Sequence, residues 1–290
     1  MQIRTVKARK EVILAAGAVH SPQILQLSGI GPKGVMQDLG IEPQVYLPGV
    51  GQNFQDHPTI YPVFNFQSQP TPNLGMLSSN QTYAAEQLAL YWAQRQGPYT
   101  IVNQGGNTVA FLPLAQITSD YQSIIDLASS HSVSSLYPDR YDSSVLAGYE
   151  AQRSTILRLY TSALTSVQET GWNGGAVMPI TLVKPLSRGS IMINSTDVLT
   201  PPLIDFGALI DSTDLEILIA ALRVNRAFIA SSAMQELDPV ELSPGANLTT
   251  DQELRKALRN DTADLFASVL YVCDDAEGVG RSGGSRFDSL

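Results

Sequence analysis

Three observations on this sequence predict a mixed fold of the α+β or α/β class. Short β-type stretches, at Gln2–Lys7, Glu11–Ala16, Thr59–Phe66, Ala176–Val183 and Ser190–Asn194, alternate with segments of helical apolar spacing. The 290 residues are 43% apolar and 16% charged, which provides for one or two hydrophobic cores. No repeat of fixed period points instead to a solenoid or propeller.

Each element has its own signal. Val12–Ala16 reads as a buried strand, and a strand covered on both faces needs neighbours to pair with. Its place at the head of the sequence predicts a chain that starts inside a sheet. Ser21 is a good N-cap and Pro22 a good first helical residue for a helix through Ile24, Leu25 and Leu27 that ends at Ser28-Gly29. A short helix around Lys33–Leu39 stops at Gly40, and Val45–Pro58 is rich in Gly and Pro and loop-like. Thr59–Phe66 alternates as a strand, residues 67–80 form a polar loop, and Thr82–Gln96 reads as a helix. Residues 108–112 form a short strand and Ser143–Val167 a helix. The strands Ala176–Val183 and Ser190–Asn194 flank a turn, and Pro201-Pro202 breaks the chain before Leu203–Phe206. Asp211–Ile229 is the clearest helix, with Leu215, Ile219, Leu222 and Phe228 on one face. A last helical pair, Asp251–Arg259 and Asp261–Ala267, leads into residues 273–285, which are Gly-rich and polar without a hydrophobic period.

Charge and composition exclude several functions. With 18 basic against 27 acidic side chains, a net charge of −9 and no basic cluster, the electrostatic footprint for nucleic acid is missing. Apolar runs such as Val12–Ala16 are far shorter than the roughly 20 residues of a membrane span. The opening MQIRTVKARKEV has no apolar stretch behind it, so neither a membrane span nor a signal peptide is expected in the chain. A single cysteine, Cys273, leaves no internal disulfide framework. His20, His57 and His131 have no second His or Cys at ligand spacing, so no metal site is expected.

Several short motifs weaken on inspection. Gly29–Gly34 and Gly278–Gly283 both match G-x-G-x-x-G, but the first follows a helix and the second runs into the C-terminus, whereas a dinucleotide fingerprint joins a strand to a helix. No G-x-S-x-G nucleophile elbow is present. Asp56 could orient the His57 imidazole, although an Asp-His-Pro turn explains the same residues without catalysis. His131 reads as a solvated loop residue. The small residues Ala15-Ala16-Gly17 would let backbone approach a flat or phosphorylated ligand, and tight strand-to-helix packing explains Gly17 equally well.

A longer match decides between these. Residues 17–31, GAVHSPQILQLSGIG, resemble at every defining position the second signature of the glucose-methanol-choline (GMC) oxidoreductases, the flavin-dependent alcohol oxidases and dehydrogenases. Residues 50–58, VGQNFQDHP, resemble the loop that follows it in that family. Gly97-Pro98-Tyr99-Thr100, residues 185–190 (PLSRGS) and Pro202-Leu203-Ile204-Asp205 match further on, in the family's order, so that the likeness covers residues 1 to about 267.

The resemblance implies a partial FAD-binding, Rossmann-like domain over residues 1–58 and a substrate domain built on an antiparallel sheet with flanking helices over 59–267. That sheet would include Thr59–Phe66, Ala176–Val183 and Ser190–Asn194. The implied cofactor is FAD, contacted by Ala16, Gly17 and Ser21, and the implied reaction is oxidation of the CH–OH group of a small-molecule alcohol. Two parts of the family pattern have no counterpart: the Gly-rich pyrophosphate loop and the histidine that accepts the hydroxyl proton. No catalytic residue is therefore assigned, and the chain alone is expected to hold no stoichiometric FAD and to be inactive. Readings of other classes are a non-catalytic pseudoenzyme or gene-model fragment, and a lyase or cyclase on the same fold.

Where the family continues with His-Pro and a Thr-Cys-Ala-Met stretch, the chain has Ser268-Val269-Leu270-Tyr271-Val272-Cys273-Asp274-Asp275. Codons for Tyr271 onward, shifted by one base, permit Thr-Cys-Ala-Met-Met, and those for Ala276–Ser285 permit Pro-Lys-Glu-Leu-Gly-Gly-Val-Val-Asp-Pro. Residues 268–290 are thus expected to be an out-of-frame tail, which the coding DNA would test. Four glycosylation sequons begin at Asn80, Asn194, Asn247 and Asn260 and suggest a secreted or secretory-pathway parent.

Overall fold

The computed structural model describes residues 5–73, 75–100, 108–137, 142–172 and 174–262. The predicted strand Gln2–Lys7 lies partly, and the segment from Ala263 to the end wholly, outside the described residues, so the expectation of an out-of-frame tail falls there too. In chain order the elements are α1 (Gly17–Leu27), β1 (Ile30–Gly31), α2 (Lys33–Asp38), β2 (Val45–Tyr46), β3 (Thr59–Ile60), β4 (Val63–Phe66), α3 (Met76–Ser79) and α4 (Gln81–Gln94). They continue with β5 (Thr108–Pro113), α5 (Leu114–Ile117), α6 (Tyr121–Ser130), α7 (Val133–Leu136), α8 (Ser143–Tyr160), β6 (Ser166–Trp172), β7 (Ile180–Leu182), β8 (Ser190–Met192) and β9 (Leu203–Asp205). The last are α9 (Ser212–Ile229), α10 (Ser232–Gln235), β10 (Pro239–Ser243) and α11 (Asp251–Thr262). This mixture of helices with antiparallel pairs is the α+β class. Among the described residues no helix is long and apolar enough to cross a membrane.

The chain divides into two compact units. The first comprises residues 1–54, 139–145 and 189–206, and the second residues 55–138, 146–188 and 207–290. In the first, β1 and β2 form a parallel pair and β8 and β9 an antiparallel pair. Ser190–Met192 thus pairs with Leu203–Asp205 and does not extend the sheet that contains Ile180–Leu182, contrary to the expectation from the resemblance.

The second unit is built on the antiparallel sheet β3-β7-β6-β5 and a separate pair β4-β10. Thr59–Phe66, expected as one strand, is divided: Thr59 and Ile60 pair with Thr181 and Ile180, while Val63–Phe66 pairs with β10. Helix α9 is its organising element. Asp211 caps it by accepting the Thr213 N–H at 3.0 Å, and Leu215, Leu218, Ile219 and Leu222 are buried against Ile180, Leu182, Val167, Leu114 and Leu254. A helix apolar on nearly every side belongs in the middle of a core. The segment Ser143–Val167, expected as a single helix, stops at Tyr160, because Ser166–Trp172 finds a strand partner in β5.

Residues 11–16 show the opposite outcome. The expected buried strand is absent: Val12 and Ile13 are 84% and 80% exposed and the segment pairs with nothing in extended form. An apolar run becomes a strand only where another strand completes its hydrogen bonds, and among the described residues none does so.

Candidate functional site

Helix α1 starts at Gly17, four residues before the expected N-cap, so Pro22 stands inside the helix and not at its first position. Ser21 caps the turn in a different way, accepting the Ala16 N–H on its Oγ at 3.1 Å. The chain enters the helix through Gly17, whose φ of +75° lies in the left-handed region. A Cβ built there would meet no atom within 4 Å, so the space in front of this helix end is open. Ala16 and Ser21 are half-buried and Gly17 exposed, and the three lie together at the N-terminal end of α1.

The other end of the motif is held by two glutamines. Val19, Gln23 and Gln26 are buried on one face of α1. Gln26 is fully buried; its Nε2 donates to the carbonyls of Ile191 at 3.0 Å and Val50 at 3.4 Å, and its Oε1 accepts the Ile193 N–H at 2.9 Å. Gln23 Nε2 donates to the Thr200 carbonyl at 2.9 Å, and Gln23 Oε1 accepts from His20 Nδ1 at 2.7 Å. These amides tie α1 to the 50–51 turn and to the β8–β9 pair. Gly51 is required for the same reason: its φ is +76°, and a Cβ would fall 2.1 Å from the Ile191 carbonyl oxygen. The sequence carried a signal for the glutamines, since they occupy helical core-face positions after Val19, but their partners lie 24 to 177 residues away.

Beside α1 a cleft of about 220 Å³ is lined by Ser21, Leu25, Gly51, Gln52, Phe54 and Ile191, among others. Its wall is mainly apolar, and the Oε1 of Gln52 is a buried acceptor without a hydrogen-bond partner. Uncapped helix N–H groups favour an anion, the small residues admit close approach, and the orphan acceptor suits a hydroxyl or amide donor. FAD carries all three kinds of group, in its pyrophosphate, flat ring and ribityl hydroxyls, so the residues present fit it.

The second unit holds a buried polar cluster of another kind. Asp211 has no exposed side-chain surface and pairs with the buried Arg153 and, at 3.0 Å, with Nδ1 of His131. Burial works to raise the Asp211 carboxyl, but hydrogen bonds from Thr213 and the Arg153 charge outweigh it and hold the group below its usual range. Asp214 accepts the N–H groups of Leu186 and Ser187, both at 2.8 Å. Burial pushes its carboxyl up to about 6 in spite of those donors. Tyr137 Oη accepts the Arg188 N–H at 2.7 Å, and the Arg188 guanidinium donates to the Pro185 and Ser187 carbonyls at 2.8 Å. The PLSRG loop is thus clamped by buried groups. His131, expected to be solvated, is instead a hydrogen-bond partner of Asp211 across 80 residues. The Asp56 carboxylate accepts the His57 backbone N–H at 2.7 Å, and residues 56–58 adopt no turn, contrary to the turn reading of the sequence. None of the three histidines lines the cleft beside α1.

Comparison with known proteins fits this geometry. Two family models, both described as GMC oxidoreductase, match residues 1–59 and 185–269. The dehydrogenase xptC of Emericella nidulans is 37% identical over 259 residues, 89% of this chain and 42% of that protein. The solved FAD-dependent oxidoreductase from Chaetomium thermophilum superposes with a TM-score of 0.84 at 41% identity, covering 88% of this chain and 44% of that one. A fungal aryl-alcohol oxidase gives a TM-score of 0.76 at 30% identity, covering 87% and 43%. The chain spans less than half the length of these relatives.

Proposed function

Because the chain belongs to the GMC oxidoreductase family, whose cofactor is FAD, we propose that it serves the FAD-dependent oxidation of the CH–OH group of a small-molecule alcohol. The observation that carries this reading is the open N-terminal end of α1, where Gly17 leaves empty the volume a side chain would fill. Ala16 and Gly17 would admit the cofactor to the backbone, and the Ser21 hydroxyl, held by the Ala16 N–H, fixes that backbone in place. When bound, FAD supplies the two-electron chemistry that no side chain offers. The alcohol's own recognition is assigned to a cleft of about 510 Å³ in the second unit, floored by Phe64 and Phe66 and edged by Tyr99, Asn65 and Gln69. An aromatic floor with a few amides suits an aromatic or otherwise apolar alcohol.

The reading extends to turnover. No histidine lines the cofactor cleft, so no described side chain there is placed to accept the hydroxyl proton. The expectation for this chain is loose FAD binding in an open cleft and no oxidation of alcohol without a proton acceptor there. Titration with FAD under anaerobic conditions tests both statements. Saturable quenching of flavin fluorescence is expected, with the flavin lost on gel filtration and no bleaching on addition of an aryl alcohol. Ala16→Leu, at an ordinary φ of −96°, should weaken the binding at least about tenfold while the circular dichroism is unchanged. Absence of saturable quenching would overturn the cofactor assignment, and alcohol-dependent bleaching would overturn the statement about the proton acceptor. Product formed without flavin reduction would favour lyase or cyclase work.

A further inference from the structure

Three of the four sequons have described side chains, and all three asparagines are exposed. Two of them share a further property. Asn194 follows β8 in a turn fixed by Ser195 Oγ, which accepts the Asp197 N–H at 3.1 Å, and by Asp197, which accepts the Leu199 N–H at 3.0 Å. In that same turn Val198 and Leu199 are exposed, Leu199 to 71%. Asn247 lies in the turn between β10 and α11, where Leu248 N–H donates to the Gly245 carbonyl at 3.0 Å. The strand leading into this turn exposes Val240 and, to 59%, Leu242. In both turns the hydroxyl residue of the sequon, Thr196 or Thr249, is exposed with its asparagine. Asn80 differs in that its Oδ1 accepts the Tyr83 N–H at 3.0 Å and caps α4.

We infer that Asn194 and Asn247 are N-glycosylation sites, and that their glycans cover the apolar side chains beside them. The bond formed joins the asparagine Nδ2 to the anomeric carbon of a lipid-linked oligosaccharide, with the lipid pyrophosphate as leaving group and loss of the amide proton. Attachment at an exposed turn displaces no packed group, and a hydrated oligosaccharide over Leu199 and Leu242 removes two apolar patches from contact with other molecules.

The test is expression of the full chain behind a cleavable secretion leader in a yeast host. Peptide mapping after enzymatic glycan removal in ¹⁸O-water should label Asn194 and Asn247. Asn194→Gln and Asn247→Gln should each lose one glycan-sized step in gel mobility, and the double variant two. Native deglycosylation should increase the binding of a hydrophobic dye. Unlabelled asparagine at both positions in translocated protein would overturn the assignment of the sites. Dye binding unchanged by deglycosylation would overturn the covering role. Retention of the chain inside the host leaves the readout intact, because microsomal protein carries the same label.

Discussion

The first unit is held by neutral amides and the second by charges under a closed apolar core. In the first, Gln26 and Gln23 bond to backbone carbonyls and N–H groups, while Val12, Ile13, Val45 and Leu47 remain on the surface. In the second, α9 lies in a continuous apolar cluster, and the charges of Arg153, Asp211 and Asp214 are buried with their partners. Apolar composition alone therefore does not decide burial. What decides it is whether distant segments supply partners for both the side chains and the backbone.

The largest expected break in this comparison is Arg153→Met. It leaves the Asp211 carboxylate buried without its guanidinium and should cost the second unit about 3–5 kcal/mol, read as a lowered urea midpoint of its unfolding. The matching experiment in the first unit is Gln26→Leu. It keeps the volume and strands the Ile191 carbonyl and the Ile193 N–H, for a loss of ~2–4 kcal/mol. Limited proteolysis should then cut the first unit while hydrogen exchange in α9 is unchanged; protection lost equally in both would show that the two kinds of support are not separate.

The charged unit should also respond to pH where the amide-held unit does not. The Asp214 carboxyl titrates near 6 in the folded chain, above its usual value of 3.8, so the folded state binds this proton more readily. Its contribution is therefore greatest below pH 4, is lost as pH rises from 4 to 6, and is constant above that. Stability of the second unit should rise by up to ~3 kcal/mol between pH 7 and pH 4, and Asp214→Asn should flatten that slope. Asp211, depressed in the fold, acts only at lower pH and leaves the window clear. The smallest effect is expected at the surface. Arg255→Ala breaks the pair with Glu216 and should cost less than ~1 kcal/mol by urea denaturation, which separates buried from exposed ion pairs in one unit.

Much of this was legible before the structure. Gly40 marks the stop of α2 and Asp211 the start of α9, because capping is local and its residue types are specific. The ends of α8 and the fate of residues 11–16 were not legible. The helical spacing read over Ser143–Val167 runs into Ser166–Trp172, and only the strand partner Thr108–Pro113 shows that the helix has ended before it. In the same way His131 and Asp211, or Gln26 and Ile193, meet across 80 and 167 residues, and no local pattern announces such a pair. The signature around Gly17 located the candidate site, but the role of Ser21 as acceptor for Ala16 depends on where the helix begins.

The glutamine that joins α1 to β8 also sets an order of events during synthesis. Its acceptor and donor partners at Ile191 and Ile193 leave the ribosome about 165 residues later, which at roughly 5–20 residues per second is an interval on the order of ten to thirty seconds. Throughout that interval water satisfies the Gln26 amide, and the bonds that fix α1 to β8 form only afterwards. Helix α1 thus reaches its packed position long after its own residues have been made.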